Sequence, residues 1–173
     1  MNLSPALWTR LQPELPPLLT KQVFLELGLK LDDSLCHLED YFNYPVRAAA
    51  EHALQVHHRV QDFIYMIQKE YEEPNPKRQE RLGILLNLSH LAYNQIQLGS
   101  SATDTLAFLL RQVPGVLGTK ITGGGSGGTV AALYQKHHFD DNTFNEKLLE
   151  YQKQTGKSTY IFRGSSAGPW SKN

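Results

Sequence analysis

The sequence of 173 residues predicts an α+β domain, a small antiparallel sheet covered by a helical hairpin and additional helices. Two long apolar periodicities at three and four residues, from Val46 to about Tyr71 and from about Lys77 to Leu98, predict the hairpin. Two short runs, VLGTKIT and TVAALYQ, flank a glycine-rich stretch and predict an antiparallel pair of strands. Helices come first in the chain, followed by the order β, β, α, β.

Taken in order, Pro13, Pro16 and Pro17 predict an irregular lead-in, because proline lacks the amide that a helix interior needs and holds its predecessor extended. Thr20 is placed to cap a short helix in KQVFLELG that Gly28 stops. LDDSLCHLEDYF is a connecting region with room for helical turns, and Pro45 fits the first turn of the first long helix. That helix gathers Val46, Ala49, Ala50, Ala53, Leu54, Val60, Phe63, Ile64 and Ile67 on one face, which calls for a large packing partner. EEPNPKRQ is the turn, and the second helix aligns Leu82, Leu85, Leu86, Ser89, Tyr93 and Ile96. GSSATD starts a further helix, with a hydroxyl for its cap and Asp104 in its first turn, and Pro114 with Gly115 ends it. The two strands follow, then a helix in NTFNEKLLEYQKQTG stopped at Gly156, then STYIF as a last strand. Residues 1–45 form the lead-in and 46–173 the domain proper, with no linker between them.

Composition narrows the functions on offer. The chain is 40% hydrophobic and 20% charged, enough for one core. Basic and acidic residues balance at 17 each, so no long-range field draws it to nucleic acid or to an anionic membrane. Cys36 is the single cysteine, which excludes an internal disulfide and suits a reducing compartment, with the cytoplasm expected. The N-terminus has no basic region followed by an apolar run, and no stretch approaches the roughly 18 apolar residues that span a bilayer.

The glycine-rich stretch TGGGSGGTV raises the functional question. Gly123 to Gly128 satisfy G-x-G-x-x-G, but a dinucleotide site needs a helix after the turn, and TVAALYQ reads as a strand. The phosphate loop G-x-x-x-x-G-K-[ST] also fails, since no Lys-Ser or Lys-Thr pair follows. On the residues alone two uses stay open: a loop whose backbone amides approach the oxygens of a ligand, or a flexible hairpin turn.

GTKITGGGSGGTVAAL, Gly118 to Leu133, resembles the third conserved motif of the GHMP kinases, the superfamily of galactokinase, homoserine kinase and mevalonate kinase. Upstream, YNQIQLGSSATDTLAFLL is similar to the segment before that motif in the galactokinase and arabinokinase-like branch. Asp104 matches there, and Ser101 replaces the first aspartate of the pattern. VRAAAEHALQVHHRVQDF resembles the R-A-x-H helix of galactokinases through Arg47, His52, Arg59 and Val60, with Val56 where an acidic residue is common. YIFRGSSAG resembles the arabinokinase-like ending IFEGSSPG, with Arg163 in place of the acidic residue.

The resemblance implies the ferredoxin-like C-terminal lobe of a two-lobed kinase that moves the γ-phosphoryl group of ATP to a monosaccharide hydroxyl, at the anomeric position. The phosphate-wrapping P-x-x-x-G-L-G/S-S-S-A motif of the N-terminal lobe has no match in these residues. GSSA at Gly99 to Ala102 lacks the preceding proline and Gly-Leu and reads as a helix cap. The family's catalytic aspartate, its Mg²⁺ ligand and most sugar contacts are therefore expected on an absent lobe, supplied by another chain or lost by truncation. ATP and Mg²⁺ are implied cofactors whose main ligands lie elsewhere. The alternative is a non-catalytic remnant that binds a sugar, a nucleotide or a protein. The face left by the missing lobe is expected to be apolar and to favour that lobe or self-association.

No catalytic or metal-ligating residue is assigned within the chain. The candidate cleft loop comprises Lys120, Thr122, Gly123, Gly124, Gly125, Ser126, Gly127 and Gly128. Lys120 can reach a phosphate or stand solvated at a strand edge, while Thr122 and Ser126 can donate to a phosphate or a sugar hydroxyl. His57 with His58, and His137 with His138, are adjacent pairs whose side chains diverge on a helix, so neither is a natural chelate. His57 is expected on the apolar face as a core or lobe-interface residue, Asp32, Asp33, Asp140 and Asp141 as turn residues, and Cys36 as unreactive for want of a nearby base.

Overall fold

The structure, a computed structural model, describes residues 5–32 and 36–163. Its elements are α1 (Pro5–Leu11), a 3-10 turn (Gln12–Glu14), α2 (Lys21–Glu26), α3 (Val46–Glu72), α4 (Pro76–Gln95), α5 (Ser101–Leu110), β1 (Val116–Thr122), β2 (Thr129–Tyr134) and α6 (Asp141–Thr155). Among the described residues the architecture is α+β, with six α-helices and a two-stranded antiparallel sheet on which α4 and α5 pack.

Helix boundaries follow local chemistry. Thr20 caps α2 by accepting the Val23 amide, and Gly28 leaves that helix at φ +67°. The Asn75 side chain accepts from Lys77 and Arg78 at the start of α4, with Pro76 in the first turn. Ser100 caps α5 through the Thr103 amide, and Asp140, expected as a turn residue, caps α6 through Asn142 and Thr143. Gly156 closes α6 in the left-handed region at φ +68°. The lead-in is more regular than its prolines suggest, since α1 completes before Pro13 is reached. It is tied to α3 by a Leu19–Tyr44 bridge and by the Arg47 guanidinium, whose Nε donates to the Leu15 carbonyl at 2.8 Å.

α3 and α4 form the antiparallel hairpin. Its turn is locked by Glu70, which accepts the Asn75 amide at 3.0 Å and pairs with Arg78 at 3.2 Å, while Arg78 also donates to the Glu73 and Lys69 carbonyls. α3 packs on α4 and buries none of its residues fully. Val60, Ile64 and Ile67 on α3, and Ile84, Leu88 and Leu91 on α4, remain between 41% and 51% exposed, two apolar stripes at i, i+4, i+7.

The core lies where α4 and α5 meet β1, around Leu82, Leu109, Val113, Thr119 and Ile121. α4 runs along the edge of β1 that β2 leaves open. Gly83 and Gly118 allow the closest approach: a Cβ on Gly83 would stand 2.0 Å from the Leu117 carbonyl oxygen, and one on Gly118 2.2 Å from that of Gly83. β1 pairs with β2 from Thr122↔Thr129 to Val116↔Tyr134, with an irregularity between Val116 and Gly118.

STYIF corrects the sequence reading. Residues 158–162 lie outside any strand, and the sheet of the described residues has two strands rather than three. β propensity becomes a strand only when a neighbour supplies the ladder. Here β2 and residues 158–163 line one cleft of 510 Å³ together with Phe139, Phe144 and Tyr151, and Tyr160 and Phe162 stay about 80% exposed. Arg163 ends the segment, bonded to Asp141 at 2.8 Å and stacked over Phe139 and Phe144. The GSSAG stretch of the terminal resemblance lies outside the described residues, as do Asp33 and the N-terminal four residues.

Candidate functional site

The loop between β1 and β2 contains more left-handed backbone than any other stretch of the described residues. Gly123, Gly125, Gly127 and Gly128 have φ of +86°, +92°, +125° and +99°, and Ser126 adopts +58°. L side chains enter this region at a cost, so a glycine-dense sequence is what lets the chain fold back here. Part of the loop is nevertheless anchored. The Ser126 amide donates to the Leu98 carbonyl at 2.6 Å, and the Tyr93 hydroxyl donates to the Gly123 carbonyl at 3.1 Å. A Cβ on Gly125 would lie 2.6 Å from the Leu98 oxygen and 3.3 Å from the Tyr93 ring. Gly123, Gly124 and Gly128 face open space, and Thr122 is exposed.

The loop thus rests on the corner between α4 and α5. Gly99 makes that corner possible, because a Cβ there would overlap Asn94 Oδ1 at 1.7 Å. Asn94 in turn donates to Asp104 Oδ2 at 3.3 Å. A free hairpin turn would lack such ties, and an anchored loop with exposed glycines is suited to presenting backbone to a ligand.

Basic side chains gather at the root of the loop. Lys120 is half-buried, with Nζ 5.7 Å from the centre of the Tyr93 ring, and burial lowers its pKa. It is therefore neither a fully solvated edge lysine nor deeply enclosed. His52 meets the same Tyr93 ring edge-on at 5.3 Å. Burial first, then the Arg59 charge, lowers the His52 pKa, with a smaller push from Lys120. His52 Nδ1 and Arg59 Nη1 are buried without a hydrogen-bond partner among the described residues. Tyr93 links these groups to the loop, a convergence that no spacing in the sequence announces.

A second constellation escaped sequence reasoning. His90, 2% exposed, accepts the Ile121 amide on Nδ1 at 3.1 Å, and its Nε2 lies 3.2 Å from Asp104 Oδ1. Burial and Arg111 lower its pKa against the opposing pull of Asp104. Three residues earlier on α4, Asn87 Oδ1 accepts the Thr119 amide at 3.0 Å. The available signal was the polar series Asn87, His90, Tyr93 and Asn94 in the second half of α4; its meaning requires β1 alongside.

The remaining candidates separate from the loop. His57 is exposed and meets His58 edge-on with ring centres 5.9 Å apart, which corrects the core alternative of its expectation as a core or lobe-interface residue, and Cys36 is exposed. Among the described residues no group of three or more His, Cys, Asp or Glu is placed to hold a metal ion. No helix among them is long and apolar enough to cross a membrane. Chemically, the site offers amides, hydroxyls and cations, a set suited to anions.

Residues 67–146, from the end of α3 into α6, match the family described as GHMP kinases C terminal. The chain is 32% identical to L-arabinokinase of Arabidopsis thaliana over 177 residues, 96% of this chain and 17% of that protein. It is 39% identical to galactokinase of Enterococcus faecalis over 88 residues, 50% of this chain and 22% of that protein. Galactokinase of Limosilactobacillus fermentum is 40% identical over 79 residues, 44% of this chain and 20% of that protein. The chain therefore spans about a fifth of the length of these curated relatives.

Proposed function

The chain belongs to the GHMP kinases through their C-terminal domain, and from that membership we propose that it forms the C-terminal part of an ATP-dependent sugar kinase. The reaction is transfer of the γ-phosphoryl group to a monosaccharide hydroxyl, at the anomeric position, in the cytoplasm. The observation that carries the reading is a glycine loop, inside the matched segment, anchored at Ser126 and Gly123 and open at Gly124 and Gly128.

Phosphoryl transfer depends on positioning and electrostatic stabilisation, so backbone amides and cations contribute without a covalent step. In this reading Gly123 to Gly128, with Thr122 and Ser126, shape the cleft between donor phosphate and sugar, and Lys120 supplies positive charge at its base. These residues suit phosphate oxygens. On the family resemblance, the Mg²⁺ ligands are assigned to an N-terminal lobe. That lobe, on this or another polypeptide, would also cover the apolar stripes of α3 and α4.

The test is ATP consumption with a panel of monosaccharides including arabinose and galactose, using this chain alone and mixed with an N-terminal lobe. Turnover in the mixture that Gly125→Val abolishes is the expected result. A folded chain with no turnover in either case would favour a binding module that retains the family fold without its chemistry.

A further inference from the structure

We propose that His90 is a positioning residue for the glycine loop: a neutral imidazole, held as the Nε2–H tautomer facing Asp104, whose bare Nδ1 fixes the strand from which the loop departs. The functional weight of this rests on reading 122–128 as a cleft loop; the geometry does not.

β2 occupies one edge of β1, and the amides of Thr119 and Ile121 point to the other, where a further strand would ordinarily accept them. α4 accepts them with side chains instead. Asn87 takes Thr119, His90 takes Ile121, and Tyr93 then reaches the Gly123 carbonyl. Helical steps of three residues, about 4.5 Å, keep rough pace with strand steps of two residues, about 6.6 Å, because the side chains lean to make up the difference. α4 thereby replaces a strand over this stretch.

His90 differs from its neighbours because its hydrogen-bonding character depends on a proton. A backbone N–H only donates, so Nδ1 must be bare to accept Ile121, and the neutral ring then carries its hydrogen on Nε2. Asp104 Oδ1, which has no hydrogen-bond partner among the described residues, stands 3.2 Å from that nitrogen, where its negative charge favours an N–H. The Ile121 amide specifies the tautomer and the Asp104 charge supports it. A proton on Nδ1, in the other tautomer or in the imidazolium, would set N–H against N–H at a buried position. The charged groups facing His90 are Asp104 from α5, Arg111 just past its end and Lys120 from β1; Asp104 favours the imidazolium, while Arg111 and Lys120 join burial in opposing it. Ile121 is two residues from Gly123, so release of its amide loosens the near root of the loop while Ser126 still holds the far side.

The experiment uses the 173-residue chain, labelled with ¹⁵N, and its variants His90→Asn and His90→Gln. Asn places Oδ1 where Nδ1 stands, as Asn87 already does for Thr119, whereas Gln extends its amide toward the Nε2 position. The imidazole ¹⁵N spectrum of the wild type is expected to show a bare Nδ1 and a protonated Nε2 at neutral pH. Amide exchange at Ile121 is expected to be near wild type in His90→Asn and at least about ten-fold faster in His90→Gln, with the α5 amides of Ala107 and Leu109 as controls for intact folding. A protonated Nδ1 in the wild type overturns the proposal. So does wild-type protection of Ile121 in folded His90→Gln, or its loss in folded His90→Asn. If neither variant folds, the wild-type spectrum decides. Neither readout uses sugar phosphorylation, so absence of turnover with the expected Ile121 behaviour removes the kinase reading and leaves this one standing.

Discussion

At the scale of single residues, glycines divide by what surrounds them. Gly125 combines φ +92° with the Leu98 carbonyl and Tyr93 ring at its back, so Gly125→Val strains the backbone and displaces the corner together. Gly124 has neither constraint, and Gly124→Ala is expected to leave the melting temperature within about 2 °C of wild type. Gly83→Ala, ordinarily helpful within a helix, is expected to destabilise by about 1–3 kcal/mol in urea unfolding, because its methyl group meets the Leu117 carbonyl. An unchanged or higher midpoint would refute that contact. The histidines give a pH dependence. His52 and His90 both have pKa values lowered from 6.5 in the fold, so unfolding takes up protons as the pH falls below that value. Their contribution is therefore fully present above about pH 6.5 and lost progressively below it. Denaturation midpoints at pH 7.5 and 5.5 should differ in that direction, and less so in His90→Asn; an equal slope in the variant would remove His90 from the account.

Elements were legible where they end on local chemistry. Thr20, Ser100, Gly28 and Gly156 act at the termini where their residue types place them, because a cap needs partners only three or four residues away. Asn75→Ala is expected to cost about 1 kcal/mol by opening the start of α4, measured as a shift in chemical denaturation midpoint. The packing face of α4 was legible only in part. Leu82 is buried as its periodicity suggests, yet the strand rests on Gly83, Asn87 and His90, whose polarity or small size hides them from an apolar pattern. STYIF failed for the opposite reason: its residues favour a strand, and none of the described chain sits beside it to make one.

For the whole molecule, the exposed stripes of α3 and α4 imply an unsatisfied surface. In the proposed reading, rows of aliphatic side chains on adjacent helices, together with Leu25 and Leu27 at about 60% exposure, meet a complementary lobe or, failing that, a second copy. Sedimentation equilibrium of the isolated chain should show association that rises with concentration, and Leu88→Lys should weaken it. A strictly monomeric chain would argue that the stripes are simply solvated. Adding the N-terminal lobe should suppress self-association if both occupy the same face.

The sequence by itself determined α2 to α6, the two paired strands and the glycine loop, since each depends on periodicity, capping or conformational freedom within a few residues. It also carried the family, because the loop motif is contiguous. Tertiary structure alone decided that α4 satisfies the open edge of β1, that Tyr93 joins Lys120 and His52 to the loop, and that His90 reaches Asp104. Those contacts join residues fourteen to forty-one positions apart, and Coulomb and hydrogen-bond terms act over ångströms of space, whatever the distance along the chain.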